Sequence, residues 1–151
     1  MPIIQTEIEI AAPIERCFEL ARDITVHTRT VWKHTRERAV AGRKEGGIGL
    51  GETVTFRATH LGVRQQLTSK IVVFERPFLF VDEMQKGAFK FMRHEHHFEQ
   101  VDGGTLMKDV LSFQAPLGVF GRMADGLVLT PYMRRFLEGR NHELKILLEK
   151  E

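Results

Sequence analysis

Three histidines in one short stretch, His94, His96 and His97, carry the side chains best suited to chemistry in this 151-residue chain. The surrounding residues 89–98 read FKFMRHEHHF, in which apolar and polar positions alternate. Such alternation predicts a strand, whose side chains at positions i and i+2 point to the same face. Imidazoles on the inner face of a strand could serve acid–base catalysis, hydrogen bonding or metal binding.

A hairpin turn at Asp102-Gly103 is predicted to pair this strand with the segment that follows it. A two-residue turn sets Phe98 opposite Met107 and His96 opposite Asp109. The face that holds these residues is the more apolar one, so we expect it to face the interior. The sequence therefore places His96 beside Asp109 on an otherwise apolar inner wall.

Three interpretations of the His96–Asp109 pair are open. In the first, the carboxylate accepts the imidazole N–H within the core and neither group touches a ligand, because buried polar groups need partners. In the second, the pair orients a molecule bound in an apolar pocket. In the third, Asp109 orients His96 as a general acid or base for proton abstraction, cyclisation or dehydration. The sequence contains no evident nucleophile or oxyanion-hole motif, which weighs against catalysis.

A metal site is a further option for these histidines. His94 and His96 share a face of the strand and could ligate zinc, with Asp109 or His60 completing the set. No cysteine accompanies them, and nothing in the sequence fixes His60 near the others. We therefore predict neither a metal nor another cofactor.

Two other segments are better explained as surface structure than as ligand motifs. Four glycines between positions 46 and 51 precede a predicted strand, whereas a phosphate-binding glycine loop leads into a helix. The segment Arg36–Lys44 is rich in cations, yet the net charge is only +2 and no aromatic residues are interleaved with them. Nucleic acid is therefore not predicted as a partner.

Length and composition favour one domain, residues 1–151, with a sizeable core, since 42% of the residues are hydrophobic. The single cysteine, Cys17, excludes an internal disulfide and is typical of a reducing compartment. No apolar run approaches the roughly 20 residues that a membrane span needs, and the N-terminal residues do not read as a secretion signal. We expect a cytoplasmic protein without a transmembrane segment.

Hydrophobic periodicity predicts a series of elements along the chain. Ile4–Ile10 alternates as a strand, and two short helices follow, the second capped by Asp23. Further strands joined by short turns bring the total to six or seven and favour a curved antiparallel sheet. From Val119 to Lys150 the apolar spacing becomes helical, and Pro131 is expected to interrupt its first half.

Five stretches of the sequence look like family motifs: GETVTF at 51–56, FVDEMQKGAF at 80–89, HEHHF at 94–98, GTLMKD at 104–109 and PLG at 116–118. They resemble bacterial SRPBCC proteins of the polyketide cyclase/dehydrase-like group, within the START-like superfamily. The resemblance covers nearly the whole chain and implies an α+β helix-grip fold. In that fold a curved antiparallel sheet of six to seven strands holds a long C-terminal helix in its concave face, with two short helices after the first strand.

Members of this superfamily typically hold an apolar small molecule between the sheet and the terminal helix, and only some are enzymes. We therefore predict binding of a hydrophobic or aromatic small molecule, of lipid, quinone or polyketide type, in that position. Methionines on one interior would suit such a ligand because they are adaptable. The predicted lining comprises Phe56, His60, Leu67, Ile71, Met84, Met92, His94, His96, Phe98, Met107, Asp109, Leu111, Met123, Leu127 and Met133.

Two alternatives to a binding protein stay open. One is a cyclase- or dehydratase-type enzyme that uses His96 and Asp109 as its acid–base pair. The other is a protein-interaction or assembly module. A homodimer is a possible assembly in each case.

Overall fold

A seven-stranded antiparallel sheet is the framework of the protein, for which a computed structural model describes residues 2–115 and 125–150. The strands are β1 (Ile3–Ile10), β2 (Arg38–Gly42), β3 (Thr53–His60), β4 (Val63–Glu75), β5 (Leu79–Lys86), β6 (Phe91–Val101) and β7 (Gly104–Gln114). Their order across the sheet is β1-β7-β6-β5-β4-β3-β2, so β1 crosses over to pair with the last strand. The predicted antiparallel sheet is confirmed.

The helical elements also follow the predicted order. They are α1 (Ile14–Ala21), α2 (Ile24–Thr30), a 3-10 turn (Lys33–Thr35), a π-helical turn (Asp125–Leu129) and α3 (Thr130–Glu149). Asp23 caps α2 as predicted, since its Oδ1 accepts a hydrogen bond from Val26 N at 3.0 Å.

The long helix α3 begins where the sequence predicted an interruption. Pro131 lies in its first turn, where a missing backbone N–H leaves no helical hydrogen bond unmade. The inner stripe buries Leu137, Leu144 and Leu148 against β1, α1 and α2. Leu147, although its apolar spacing fits the same stripe, is 36% exposed. Among the described residues, no helix is both long and apolar enough to span a lipid bilayer.

The β6–β7 hairpin has the predicted register. Val101 pairs with Gly104 across the turn, and His96 pairs with Asp109 further along the strands. Gly103 has a φ of +82°, which a two-residue hairpin turn requires and glycine adopts without strain. The turn therefore fixes which side chains of β6 face inward.

A bulge in β4 changes which of its side chains face the core. Ile71 pairs with Asp82 and Val73 with Val81 of β5, so Val72 is an extra residue on β4. This bulge reverses the alternation of faces, so Phe74 and not Val73 packs inward. Phe74 contacts Phe18 of α1 edge to face, with the ring centroids 5.4 Å apart.

Candidate functional site

A cavity of about 410 Å³ lies inside the fold, between the sheet and the helices α2 and α3. Strands β3 to β7 supply one wall and α3 supplies the other. Most of the lining side chains are aliphatic or aromatic, and the polar ones include Asp82, His94 and His96 on the neighbouring strands β5 and β6. This combination of an apolar wall and a few convergent polar groups is typical of small-molecule sites.

Nine of the fifteen side chains predicted to line a ligand site do line this cavity. They come from four strands and from α3, and they are Phe56, His60, Leu67, Ile71, Met92, His94, His96, Leu111 and Met133. The alternation of strand residues was sufficient to find the eight that lie on strands, because the inner face of each strand repeats every second residue.

Four predicted residues lie on the correct side of the sheet but away from the cavity. Phe98 and Met107 are buried in the core beneath α1, where Phe98 contacts Phe18 at a ring distance of 5.4 Å. Met84 packs against the smaller core cluster, and Asp109 lies behind His94 and is only 1% exposed. The assignment of all four to the lining is corrected; Phe98 and Met107 are excluded from it because α1 covers this end of the sheet.

The helical part of the predicted lining also needs correction. Leu127 is 74% exposed, whereas Leu129 lines the cavity. The π-helical turn before Thr130 has a wider repeat than an α-helix, so Leu127 is out of phase with the inner stripe of α3. Met123 lies outside the described residues.

The inner wall carries four charged or ionisable side chains in two hydrogen-bonded pairs. His94 Nε2 lies 2.6 Å from Asp109 Oδ1, and His96 Nε2 lies 2.9 Å from Asp82 Oδ2. His96 Nδ1 is 3.4 Å from Asp109 Oδ1, so the predicted neighbour of His96 is present but is not its hydrogen-bond partner. The hydrogen-bonded pairs are therefore His94 with Asp109 and His96 with Asp82, whereas the sequence analysis paired His96 with Asp109.

A stack of rings holds His96 in place. Its imidazole lies between the ring of Phe80, at 4.1 Å, and that of His94, at 3.8 Å. Phe80 and His96 are directly opposite in the β5–β6 pairing, as are Asp82 and His94. Cross-strand pairing thus positions the aromatic and polar members of the site on one patch of the wall.

The carboxylate of Asp109 is the centre of a buried polar network. Besides the contact with His94, it accepts hydrogen bonds from Arg140 Nη2 at 3.2 Å and from Asn141 Nδ2 at 2.7 Å. Thr6 Oγ1 lies 3.4 Å away on the paired strand β1. The network connects β1, β6, β7 and α3, and it leaves Asp109 fully satisfied in spite of its burial.

The surroundings fix the charge states of this network. Burial and the neighbouring His94 lower the pKa of His96 to about 4, although the hydrogen bond to Asp82 opposes the shift. Burial alone would raise the pKa of Asp109, but the Arg140 guanidinium and the His94 hydrogen bond outweigh it and hold that pKa well below its usual range. Burial would also raise the pKa of Asp82, but the hydrogen bond from His96 outweighs it, so the pKa of Asp82 is lowered. At neutral pH both carboxylates are ionised and His96 is neutral.

Ionised carboxylates only accept hydrogen bonds, so Nε2 of each histidine is the donor. Within the described part of the chain, no hydrogen bond engages Nδ1 of His94. His94, whose side chain is 12% exposed and lines the cavity, therefore has an unprotonated nitrogen available when it is neutral. A histidine oriented by a carboxylate in this way can act as a general base.

An aromatic cluster bridges the sheet and α3 at another part of the cavity. His60 Nδ1 lies 2.7 Å from the hydroxyl of Tyr132, and the His60 ring also contacts Phe136 at 5.2 Å. Trp32 packs edge to face on both Tyr132 and Phe136. Burial lowers the pKa of His60, which favours its neutral form beside the tyrosine.

Sequence reasoning missed Asp82, Arg140 and Asn141, although each had a detectable signal. Asp82 alternates with Phe80 and Met84, and Met84 had been assigned to the inner face, so period two would have placed Asp82 inside as well. Arg140 and Asn141 lie seven and eight residues after Met133, at spacings that continue the inner stripe of the helix. Because these two side chains are polar, a search for apolar residues at helical spacing did not include them.

Comparisons with known proteins extend over nearly the whole chain. The family model described as polyketide cyclase/dehydrase and lipid transport matches residues 1–149. The protein TTHA0849 from Thermus thermophilus is similar in structure, with a TM-score of 0.75 and 19% identity over 95% of this chain and 94% of that one. A comparison with curated protein sequences gives no significant match.

Two further solved structures have the same architecture at low identity. A START superfamily protein from Mycobacterium smegmatis has a TM-score of 0.72 and 15% identity over 98% of this chain and 97% of that one. Ginseng major latex-like protein 151 from Panax ginseng has a TM-score of 0.72 and 14% identity over 97% of each chain. These likenesses show a shared fold. Together with the family match, they establish that the chain belongs to the polyketide cyclase/dehydrase and lipid-transport family and has the START-like helix-grip fold.

Proposed function

We propose that this protein binds a hydrophobic or aromatic small molecule, of lipid, quinone or polyketide type, between the sheet and α3. The observation that carries the proposal is the cavity of about 410 Å³ with its largely apolar lining. That volume lies in the range of sites for small organic ligands, roughly 300–1,000 Å³. Membership of a family whose description includes lipid transport supports the same class of ligand.

The polar patch on the wall supports a ligand that is not purely a hydrocarbon. Asp82 and His96 both line the cavity, and Asp82 is about a quarter exposed. A hydroxyl or amide N–H of the ligand could donate to the Asp82 carboxylate, while the rest of the molecule contacts the apolar wall. We therefore propose an apolar body with at least one hydrogen-bond donor.

Filling the cavity tests this function directly. Leu67 lines the cavity on β4, and its neighbour Gln66 is exposed on the opposite face. We expect Leu67→Trp to lower the affinity for the apolar dye 1-anilinonaphthalene-8-sulfonate at least tenfold, whereas Gln66→Trp, the matched control, leaves it unchanged. Thermal melting establishes that both variants are folded. Equal dye binding by both variants would show that the dye occupies another surface.

A second candidate function is acid–base catalysis on the bound molecule, favoured by the available Nδ1 of His94. In this proposal Asp109 orients His94, and His94 takes a proton from a carbon or hydroxyl of the ligand. The substitution His94→Gln would abolish turnover of a cyclisable polyketide substrate while dye binding persists. Turnover at the wild-type rate in this variant would exclude His94 as the base.

The cellular location, the oligomeric state and a role as an interaction module remain predictions. We propose a cytoplasmic location, which fractionation of the host cell tests. A homodimer is expected to appear by sedimentation at micromolar concentration, and a monomer at all concentrations would contradict it. Recovery of a specific protein partner by pull-down, together with no ligand binding, would favour an interaction module.

A further inference from the structure

Asp82, His94 and His96 form a compact set of possible metal ligands on the cavity wall. Asp82 on β5 pairs directly with His94 on β6, and His96 follows two residues later on the same face. All three side chains line the cavity. The sequence had indicated two histidines without a reliable third ligand, and the β5–β6 pairing supplies it.

The distances suit a single ion after small side-chain rotations. One ring nitrogen of each histidine and one oxygen of Asp82 all lie within 4.8 Å of one another, and His96 Nε2 is 2.9 Å from Asp82 Oδ2. Zinc bonds of about 2.0–2.2 Å in a tetrahedron separate neighbouring ligand atoms by about 3.4 Å.

Asp109 lies where an outer-shell carboxylate would orient both histidines. Its Oδ1 is 2.6 Å from His94 Nε2 and 3.4 Å from His96 Nδ1. These contacts direct the other two ring nitrogens, His94 Nδ1 and His96 Nε2, away from Asp109. Histidine ligands of metal ions usually donate their second N–H to a carboxylate in this manner, which fixes the ring orientation.

The proton on the His96 ring can change position when a metal ion binds. In the metal-free protein His96 donates its Nε2 proton to Asp82. When Nε2 takes the metal, the neutral ring needs its proton on Nδ1, which faces Asp109. The proton then passes from Nε2 to Nδ1 by way of solvent, and Asp109 accepts the new hydrogen bond. Arg140 and Asn141 hold Asp109 in place in both states.

We propose that Asp82, His94 and His96 bind one divalent transition-metal ion of the zinc class, with at least one coordination position open to the cavity. Two imidazoles and a carboxylate form a donor set that suits zinc or ferrous iron, and zinc binds such sites more tightly. The open position would take a water molecule or a polar atom of the ligand in the cavity. This inference goes beyond the proposed binding function and does not depend on it.

The test is equilibrium dialysis of chelator-treated protein against zinc chloride, followed by metal analysis. We expect one zinc per chain in the wild type and its loss in His94→Gln and in Asp82→Asn, which keeps the size of the side chain. We also expect cobalt(II) to give the strong visible absorption of a four- or five-coordinate ion in the wild type but not in His94→Gln or Asp82→Asn. The outer-shell change Asp109→Asn should weaken zinc binding about 10–100-fold if the variant folds.

The matched control is His97→Gln, on the same strand. His97 lies on the outer face beside Glu95, with 2.8 Å between Nε2 and Oε1, and its replacement should have no effect on zinc binding. Less than stoichiometric zinc in the wild type, or zinc that is lost in His97→Gln and kept in Asp82→Asn, would overturn the proposal. Dye binding by the chelator-treated wild type, which carries no metal, separates failure of this site from failure of the cavity.

Discussion

Asp109 is the residue on which the polar interior of this protein depends. Its carboxylate is 1% exposed and is contacted by His94, Arg140 and Asn141 from two different elements. A buried carboxylate of this kind is tolerated only because a cation and several N–H groups satisfy it. The same contacts keep His94 oriented toward the cavity. Asp109 therefore contributes to the stability of the fold and to the proposed function.

Replacing Asp109 by asparagine is expected to destabilise the fold strongly. The change leaves Arg140, whose side chain is 4% exposed, without its ionic partner, and breaking a buried pair typically costs about 3–5 kcal/mol. Urea denaturation followed by the fluorescence of Trp32 measures the effect. The control Asp102→Asn lies in the exposed hairpin turn and should change the unfolding free energy by less than about 0.5 kcal/mol. A loss below about 1 kcal/mol for Asp109→Asn would contradict the account of the network.

Acid is expected to destabilise the metal-free protein through His96. The groups that face this ring are His94 on its own strand, Asp82 on β5, Asp109 on β7 and, beyond Asp109, Arg140 on α3. Because the folded pKa of about 4 is lower than the ordinary value of 6.5, the unfolded chain binds more protons between these pH values. The contribution of His96 is complete above pH 6.5 and declines as the pH falls toward 4.

The loss from this single group amounts to about 2 kcal/mol at pH 5 and about 3 kcal/mol in full. Denaturation curves at neutral pH and at two acidic pH values, in the presence of a chelator, measure it. His96→Gln should flatten the dependence on pH, whereas His142→Gln at an exposed position of α3 should not. If the unfolding free energies of the wild type and of His96→Gln depended on pH in the same way, His96 would not be a neutral buried imidazole.

At the scale of elements, α3 is held to the rest of the fold by a close contact at Gly139. A Cβ at this position would lie 2.8 Å from Nε1 of Trp32, so the helix can approach the tryptophan only because it has glycine here. Trp32 in turn packs on Tyr132 and Phe136 of the same helix. The aromatic cluster therefore depends on a glycine that is unfavourable for the helix itself.

Gly139→Ala should accordingly fail to stabilise the protein. Alanine is favoured over glycine within a helix by about 1 kcal/mol, but here the added methyl group must displace the Trp32 ring. We expect an unfolding free energy equal to or lower than that of the wild type, together with a shift in the fluorescence of Trp32, the only tryptophan. Glu138→Ala, at an exposed neighbouring position, should leave the fluorescence unchanged. Stabilisation by Gly139→Ala with unaltered fluorescence would refute the contact.

Some features of the strands and helices could be predicted from the sequence, and others could not. The Asp102-Gly103 turn was enough to predict the pairing of His96 with Asp109, because turn geometry determines register. The bulge at Val72 of β4 has no local signature, so the sequence did not indicate that Phe74, and not Val73, packs into the core. Leu127 was likewise assigned to the wrong face. The prediction assumed an α-helical repeat from Val119 onward, whereas Asp125–Leu129 form a π-helical turn.

Hydrogen-bond partners were less predictable than strand pairing. Register places two residues opposite each other, but the direction of a side chain decides which atoms meet. His96 is opposite Asp109, yet its ring reaches Asp82 on the other neighbouring strand, and Asp109 is contacted by His94. The helical spacing places Arg140 on the inner stripe of α3, but it does not determine which strand residue the side chain meets.

At the scale of the whole molecule, the sheet and α3 enclose a volume that the core residues do not fill. Phe18 of α1 packs densely on Phe80 and Phe98, whereas the opposite end of the sheet is separated from α3 by the cavity. An apolar molecule bound in the cavity would gain packing contacts with the lining side chains on both walls. The shape of the whole molecule therefore supports ligand binding as its function.

Native mass spectrometry of the protein purified from its own host tests this claim most directly. We predict a mass increment that corresponds to one apolar small molecule per chain, and its absence in Leu67→Trp but not in Gln66→Trp. The contradictory result would be wild-type protein that carries no adduct and that binds nothing in a screen of lipids, quinones and polyphenols.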